Sequence, residues 1–287
     1  MMRTPISFQP PSRTEPQKRR PSPALLMVLA FLFVFVPFLT WYLTWFGRPL
    51  TDSQIEAYLN DQEKPRHAQH ALSRIADRMM RGDRSVTRWY PRIVALADHP
   101  LPEIRQTVAW VMGQDNESAE FHQALVRLLE DPVLMVRWNA ALALVRFGDT
   151  RGRQTIREML KPHVITAPSD GVVTASIEPG TSVRPGTGLV SLTRDDGQVV
   201  KVRSPLMGRA DVLLVPVGSR VTAGRELIRI TPASETVYEA LRALYLIGDA
   251  DDLPEVDRYA SGVDGMSDAV RQQAVFTARA IRQRLSG

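Results

Sequence analysis

The feature that most constrains the fold is an internal repeat along the chain. The segment HPLPEIRQTVAWVMGQD at 99–115 returns as DPVLMVRWNAALALVRFGD at 131–149, so that Pro100 matches Pro132 at an offset of 32 residues. Each copy indicates a proline-containing turn followed by a helix with small residues on one face. A repeat of this length predicts a stack of helix pairs, because a single pair cannot bury its apolar face alone.

Two later segments, VYEALRALYLIGD at 237–249 and SDAVRQQAVFTARAIRQRL at 267–285, carry the same second-helix pattern. The helix pairs expected from all matches are 52–60 with 64–81, 87–98 with 101–113, 119–130 with 133–147, 151–160 with a displaced partner, and 252–262 with 267–285. The proline turn, the D-x-x-V-R run and the alanine-rich helix resemble HEAT repeats. The resemblance implies an all-α solenoid, and the alternative is an irregular helical bundle.

The fourth helix pair is interrupted. Its first helix, RGRQTIREML at 151–160, is separated by about 75 residues from its second helix, ETVYEALRALYLIGD at 235–249. Between the two, the hydrophobic period changes from helical to alternating, and valine and glycine replace alanine. We therefore expect a separate β domain at 163–232, inserted into a turn of the helical array, since loop tips tolerate such insertions.

The insert is itself duplicated. Each half reads A/S-P-x-x-G, then an extended stretch, then G-x-x-V-x-x-G-x-x-L, so that Pro168 matches Pro205 and Gly171 matches Gly208. This order resembles the biotinyl/lipoyl carrier fold, which recurs in the membrane fusion proteins of efflux and secretion systems. The resemblance covers residues 164–232 and implies an all-β barrel-sandwich (lipoyl-like) domain of two interlocked halves.

Carrier members of that family hold biotin or lipoate on a lysine at the hairpin between the halves. In this chain the hairpin carries Asp195, Asp196 and Gly197, and Lys201 lies four residues further along a strand. No cofactor is therefore expected. The resemblance implies instead an unmodified docking module that contacts a partner through Arg194, Asp195 and Asp196. A cation site at the two aspartates is the weaker alternative, because a hairpin turn explains them.

The segment ALLMVLAFLFVFVPFLTWYLTWF at 24–46 contains no charged residue. About 20 apolar residues of helix span a bilayer, and the run is too long for a cleaved signal peptide. We expect a single transmembrane helix at 23–46. The residues expected to meet lipid or its interface are Leu25, Phe31, Phe35, Trp41, Tyr42 and Trp45.

The charge distribution around this segment predicts its orientation. The net charge of +5 comes mostly from a basic tail at 1–22, which we expect to be disordered. Basic residues that flank a membrane span favour its cytoplasmic side and so set its orientation. We expect the N-terminus in the cytoplasm of a bacterium and the helical parts, 47–162 and 233–287, in the periplasm with the β domain. The nearly neutral remainder argues against nucleic-acid binding.

The sequence contains no pattern typical of catalysis or metal binding. There is no cysteine, which excludes disulfides and thiolate sites, and the five histidines lack ligand spacing. No catalytic residue, metal or cofactor is expected. Trp89 and Tyr90 lie between arginines and could form a docking surface, although packing at the start of a helix is favoured.

These observations together predict a non-catalytic, membrane-anchored scaffold. We expect it to be an accessory or assembly subunit of an integral membrane complex, with a bioenergetic electron-transfer or photosynthetic assembly favoured, and to contact the lipid bilayer. A periplasmic adaptor of an efflux or secretion transporter is the alternative. A biotin or lipoate carrier is a remote one.

Overall fold

The computed structural model describes residues 23–41, 50–61 and 63–286, and the chain forms two compact units, 1–50 and 51–287. Helix α1, Pro23–Trp41, is the helix described in the first unit. Over the described residues, no helix combines the length and the apolar character needed to cross a membrane. We therefore correct the expected transmembrane helix, and with it the expected location in a bacterial inner membrane.

The extent of α1 gives the physical reason. Over the residues that the structure describes, the helix has 19 residues, Pro23–Trp41, and the expected continuation at 42–46 lies outside them. At about 1.5 Å per residue it extends about 28 Å, slightly less than the roughly 30 Å of a hydrocarbon core. Phe31 and Phe35 are exposed and stack at 5.0 Å. Tyr42, Trp45, the tail at 1–22 and the side chains of Leu25 and Trp41 lie outside what the structure describes.

The second unit has a helix at each position that the repeat pattern predicts. The helices are α2 (Asp52–Asn60), α3 (Pro65–Met80), α4 (Tyr90–Ala95), α5 (Pro102–Met112), α6 (Ala119–Leu128), α7 (Leu134–Arg146), α8 (Arg153–Glu158), α9 (Ser234–Ile247), α10 (Leu253–Ala260) and α11 (Asp268–Ser286). Short 3₁₀ turns flank α4 and precede α10. The helices pack as consecutive pairs, from α2 with α3 to α10 with α11.

Small residues allow neighbouring pairs to approach closely. A Cβ at Gly113 would lie 2.8 Å from the Ala143 Cβ, and one at Gly152 would lie 2.8 Å from the Ala141 Cα. Both alanines are buried. Any larger side chain at these contacts would separate the helices, since protein interiors are close-packed.

An ion pair links consecutive repeats. Arg105 of α5 donates to both carboxylate oxygens of Asp131 at 2.7 and 3.0 Å, and both side chains are nearly buried. Burial alone would raise the pKa of Asp131, but hydrogen bonds from Arg105 and from the Val133 N–H hold it below its ordinary value. The residue at the same spacing after Arg137 is His163, at the start of the insertion. Arg137 therefore has a histidine at the position where Arg105 has an aspartate.

A second recurring contact closes the repeats. An aspartate follows α3, α5, α7 and α9, and these residues are Asp83, Asp115, Asp149 and Asp249. One oxygen of each accepts an N–H from two residues ahead, at 2.9–3.1 Å. The other oxygen of Asp149 meets His122 of α6 at 2.7 Å, and that of Asp249 meets Arg153 of α8 at 2.6 Å. Helices α8 and α9 are therefore the two halves of one repeat, although the chain between them is long.

The eight strands lie between those two helices, within residues 163–232. They are β1 (His163–Thr166), β2 (Gly171–Ser176), β3 (Ser182–Val183), β4 (Gly188–Thr193), β5 (Val199–Arg203), β6 (Gly208–Leu213), β7 (Arg220–Val221) and β8 (Glu226–Pro232). They form two antiparallel sheets, with strand orders β1-β8-β6-β3 and β5-β4-β2-β7.

The two sheets are related by the duplication. Exchanging β1–β4 with β5–β8 converts one strand order into the other, so each sheet contains strands from both halves. The sheets are small, and among the described residues no ladder joins one to the other. The expected barrel-sandwich is therefore corrected to two open four-stranded sheets. The physical reason is that β3 and β7 have two residues each, too short to continue pairing.

Buried hydrophobic side chains of the strands and of helices α7 to α11 belong to one continuous core. The end of α8 is held by α10, since the Leu160 carbonyl accepts hydrogen bonds from the Tyr259 hydroxyl at 2.6 Å and from Arg258 at 2.7 Å. Helices on both sides of the insertion therefore remain in contact, and the inserted strands do not interrupt the packing of the helices.

Candidate protein-docking groove

The second helices of three successive repeats, α7, α9 and α11, line an open groove of about 1000 Å³. Large apolar side chains are exposed in it. Tyr245 and Leu246 of α9 are 45% and 62% exposed, and Phe276 of α11 is 54% exposed. Large apolar side chains exposed together on two packed helices are typical of an interaction site, in contrast to single hydrophobic residues scattered over a surface.

The repeat register explains why Phe276 faces outward. Leu142 and Phe276 occupy the same repeat position on α7 and α11, as does Trp110 on α5, which is 43% exposed. The neighbouring repeat positions, represented by Ala140 and Ala274, are fully buried. One face of each helix therefore forms the stack, and the adjacent face forms the groove.

The groove carries positive charge. Arg146, Arg242 and Arg279 come from its three helices, and Glu239 is the one carboxylate in its lining. Arg242 pairs with Glu239 at 3.3 Å. Arg146 donates to Gln114 at 3.0 Å, and within the described part of the chain neither Arg146 nor Arg279 forms an ion pair. Two guanidinium groups thus remain available to an incoming carboxylate.

Hydrogen bonds hold the helices of the groove in place. The buried Thr277 hydroxyl of α11 donates to the Leu241 carbonyl of α9 at 2.9 Å. Arg284 donates to the carbonyls of Tyr245, at 2.5 Å, and Gly248. Because these bonds satisfy carbonyls at the end of α9, the backbone that presents Tyr245 is fixed before a partner arrives.

The side chains that line the groove are of types that commonly contribute to protein–protein binding. Tyrosine and arginine are enriched among the residues that contribute most to protein–protein binding, and phenylalanine supplies a large apolar contact area. Over the residues that the structure describes, no group of three histidine, aspartate or glutamate side chains is placed to hold a metal ion.

The hairpin between β4 and β5 forms the second exposed feature. Asp196 accepts the Gln198 N–H at 2.9 Å, Asp195 pairs with Arg220 at 2.8 Å, and Gly197 has a φ of +81°. Arg194 lies 4.0 Å from Asp196. The two carboxylates thus stabilise the turn and meet arginines.

The position of this hairpin follows from the strand pairing. Thr193 and Val199 pair at its base, and Thr193 also pairs with Val172 near the start of β2. Only four residues join the end of β1 to β2, so the hairpin lies at the end of the sheets opposite His163, where the chain enters. Lys201 pairs with Ser191 inside the β4–β5 ladder and is not at the tip.

Trp89 and Tyr90 are placed in the interior. Trp89 is 4% exposed and is contacted by the guanidinium groups of Arg78 and Arg88, at 5.1 and 4.3 Å from its ring. The Tyr90 hydroxyl donates to Asp115 at 2.5 Å, and burial followed by this bond raises the pKa of Tyr90. These aromatic residues pack inside the array and offer no docking surface.

The sequence reasoning above did not identify Tyr245, Leu246 or Phe276. A signal was present for Phe276, because superposing the repeats places Trp110, Leu142 and Phe276 at one position, and the positions two residues before and two residues after it are buried in all three copies. Large apolar residues at an outward repeat position are the pattern that could have predicted the groove.

Comparison with known proteins supports the helical part. Residues 90–166 match the HEAT-repeat family, a stretch from α4 through α8 to β1. No curated protein matches the chain. The helices within residues 90–166 therefore match HEAT repeats, as the sequence pattern predicts, whereas the lipoyl-like character of the strands is not shown.

Two solved structures resemble the chain weakly. An engineered protein has 14% identity and a TM-score of 0.41, over 80% of this chain and 79% of that one. A single-chain, multi-domain long-chain acyl-CoA carboxylase has 21% identity and a TM-score of 0.24, over 36% of this chain and 10% of that one. The chain thus spans about a tenth of the carboxylase. Neither likeness is close enough to support an argument.

Proposed function

We propose that this protein is a non-catalytic scaffold that holds a protein partner in the groove formed by α7, α9 and α11, as an accessory or assembly subunit of a larger complex. The observation that carries the proposal is the exposure of Tyr245, Leu246 and Phe276 on adjacent repeat helices. Helical arrays of this kind use such extended surfaces to bind other proteins.

Contact between these apolar side chains and water is unfavourable, and a partner that covers them would remove that contact. Burying a large apolar side chain stabilises a contact by about 1.5–3 kcal/mol. The most important residues of an interface each contribute about 2 kcal/mol or more, and they cluster near its centre. The three side chains are candidates for such a cluster because they line one groove from the adjacent helices α9 and α11.

We also propose that the strands at 163–232 are a lipoyl-like module without an attachment site. The exchange of strands between its two halves supports the relation, and so does the position of the hairpin at the far end of the sheets. Asp195, Asp196 and Gly197 replace the modified lysine at the tip. The module would present this hairpin to the same complex that occupies the groove.

Site-specific photo-crosslinking tests the docking function. A photoreactive phenylalanine analogue replaces Phe276 in the full chain, and a matched variant carries it at Gln272, which is exposed on α11 but does not line the groove. We expect position 276 to give one discrete cross-linked protein in the native cell and position 272 to give none. The proposal fails if the two positions label alike or if position 276 labels nothing.

A further inference from the structure

We infer that the groove selects one kind of partner segment, a short amphipathic α-helix with acidic residues beside its apolar face. The inference rests on the proposed docking function and adds the chemistry of the partner. It is drawn from the shape of the groove and from the sign of its charge.

The shape fits a single helix. Packed helices lie about 8–10 Å apart between their axes, so the axes of α7 and α11, which flank α9 as two walls, are about 16–20 Å apart. A helix with its side chains is about 10–12 Å across, so a further helix can lie above α9 with its side chains packed between those of these two walls. Tyr245 and Leu246 come from the central helix and Phe276 from one wall. An apolar stripe with i, i+3, i+4 and i+7 spacing is the complement of such a surface.

The positive charge of the groove indicates which residues should flank the apolar stripe of the partner helix. Arg146 stands on one wall, Arg279 on the other and Arg242 between them, while Glu239 is already paired with Arg242. Carboxylates on both flanks of a bound helix would meet Arg146 and Arg279. A basic helix would place like charges next to the same two groups, and such contacts suppress a wrong partner.

The arrangement favours a peptide over a nucleic acid. A nucleic-acid surface needs positive charge along an extended backbone. Here three arginines surround half-exposed Tyr245, Leu246 and Phe276. Apolar anchors framed by a few cations match an acidic amphipathic segment.

Three synthetic 16-residue peptides provide the probe. The first has leucine at the helical i, i+3, i+4 and i+7 spacing and glutamate at the exposed positions. The second has lysine in place of glutamate, and the third has the composition of the first in scrambled order. With the full chain, we expect fluorescence anisotropy to show the first peptide binding at least about tenfold more tightly than either control, and more weakly at high salt.

Charge-reversal variants test the groove itself. The double variant Arg146→Glu and Arg279→Glu should lose at least about tenfold in affinity for the acidic peptide and gain affinity for the lysine peptide. The matched control is Arg127→Glu on α6, which is exposed and does not line the groove. It should leave both affinities within about twofold, and circular dichroism checks that all variants are folded.

The possible failures separate the two proposals. Equal binding of acidic and basic peptides, both lost with Phe276→Ser, overturns the acidic preference and leaves docking intact. No peptide binding, while position 276 still cross-links a protein, overturns the helical partner alone. Displacement of the acidic peptide by a single-stranded oligonucleotide at equal concentration would show that a nucleic acid is the occupant and would overturn the inference.

Discussion

The Asp249 carboxylate forms an ion pair with the Arg153 guanidinium at 2.6 Å, although the inserted strands separate the two residues in the chain. This ion pair occupies the place that the pair of Asp149 and His122 occupies one repeat earlier. Asp252, fully buried beneath them, lies 3.7 Å from Arg153 and 3.5 Å from Arg157. This cluster joins the two helices of the interrupted repeat.

Removing the Arg153 side chain should therefore loosen the junction. Burial raises the pKa of Asp252 and the two arginines oppose that rise, so Arg153→Gln leaves a buried carboxylate with less compensation. We expect urea denaturation to show a loss of about 1–3 kcal/mol in the free energy of unfolding. As a control, Arg271→Gln breaks only an exposed pair with Asp268 and should cost less than about 0.5 kcal/mol. If Arg153→Gln and Arg271→Gln lowered the free energy of unfolding equally, the ion pairs of Arg153 would not stabilise the junction of α8 and α9.

The close contact between repeats predicts the effect of a single methyl group. Gly152→Ala would place a Cβ 2.8 Å from the Ala141 Cα, so the backbone of α7 or α8 must move. We expect a loss of about 1–3 kcal/mol, measured as a lower denaturation midpoint. Gly188→Ala is the matched control, because a Cβ there meets nothing within 4 Å and its φ is not in the left-handed region. An unchanged denaturation midpoint in Gly152→Ala would show that the helix pairs are packed less tightly than the structure indicates.

The presence of His163 at the position that an aspartate occupies one repeat earlier predicts that the stability of the fold depends on pH. Burial, and next the charge of Arg137, lowers the pKa of His163 below its ordinary value of about 6.5. Between the lowered folded pKa and the unfolded one, the unfolded chain binds more protons. The free energy of unfolding should therefore fall as the pH is lowered through about 6.5, and the contribution is fully present above that value.

Comparing urea midpoints at about pH 7.5 and about pH 5.5 checks this expectation. His163→Asn should lose less stability than the parent chain over that interval. Some dependence should persist, because burial, followed by Arg74 and His67, also lowers the pKa of His70. An unchanged dependence in His163→Asn would rule out a contribution from His163.

The groove residues should be dispensable for folding. Leu246 and Phe276 are more than half exposed, so the double variant Leu246→Ser and Phe276→Ser should change the free energy of unfolding by less than about 1 kcal/mol. By contrast, Phe121→Ser removes a fully buried ring and should cost several kcal/mol. Thermal denaturation of the two variants separates these cases. A large loss in the double variant would mean that these side chains serve the core instead of a partner.

The helical repeats were predictable because their signal is local and recurs. A proline turn and an alanine-rich face each act within a few residues, and every copy reinforces the same register. The duplication of the insert was visible for the same reason, through its glycines and alternating valines. The membrane helix and the closed barrel were not predictable in this way. Apolar composition alone does not establish a membrane-spanning helix, and two matching halves do not determine whether their sheets join.

The sequence alone determined the helix pairs, the place of their interruption, the duplicated alternating pattern within it and the aspartate turn at its tip, because each depends on short-range periodicity and turn chemistry. Tertiary structure decided the rest. Whether Trp89 is buried, whether Tyr245 and Phe276 are exposed, and whether Asp249 meets Arg153 depend on how distant helices stack. The groove arises only when three repeats present their outward positions side by side, since no single helix carries a docking surface by itself.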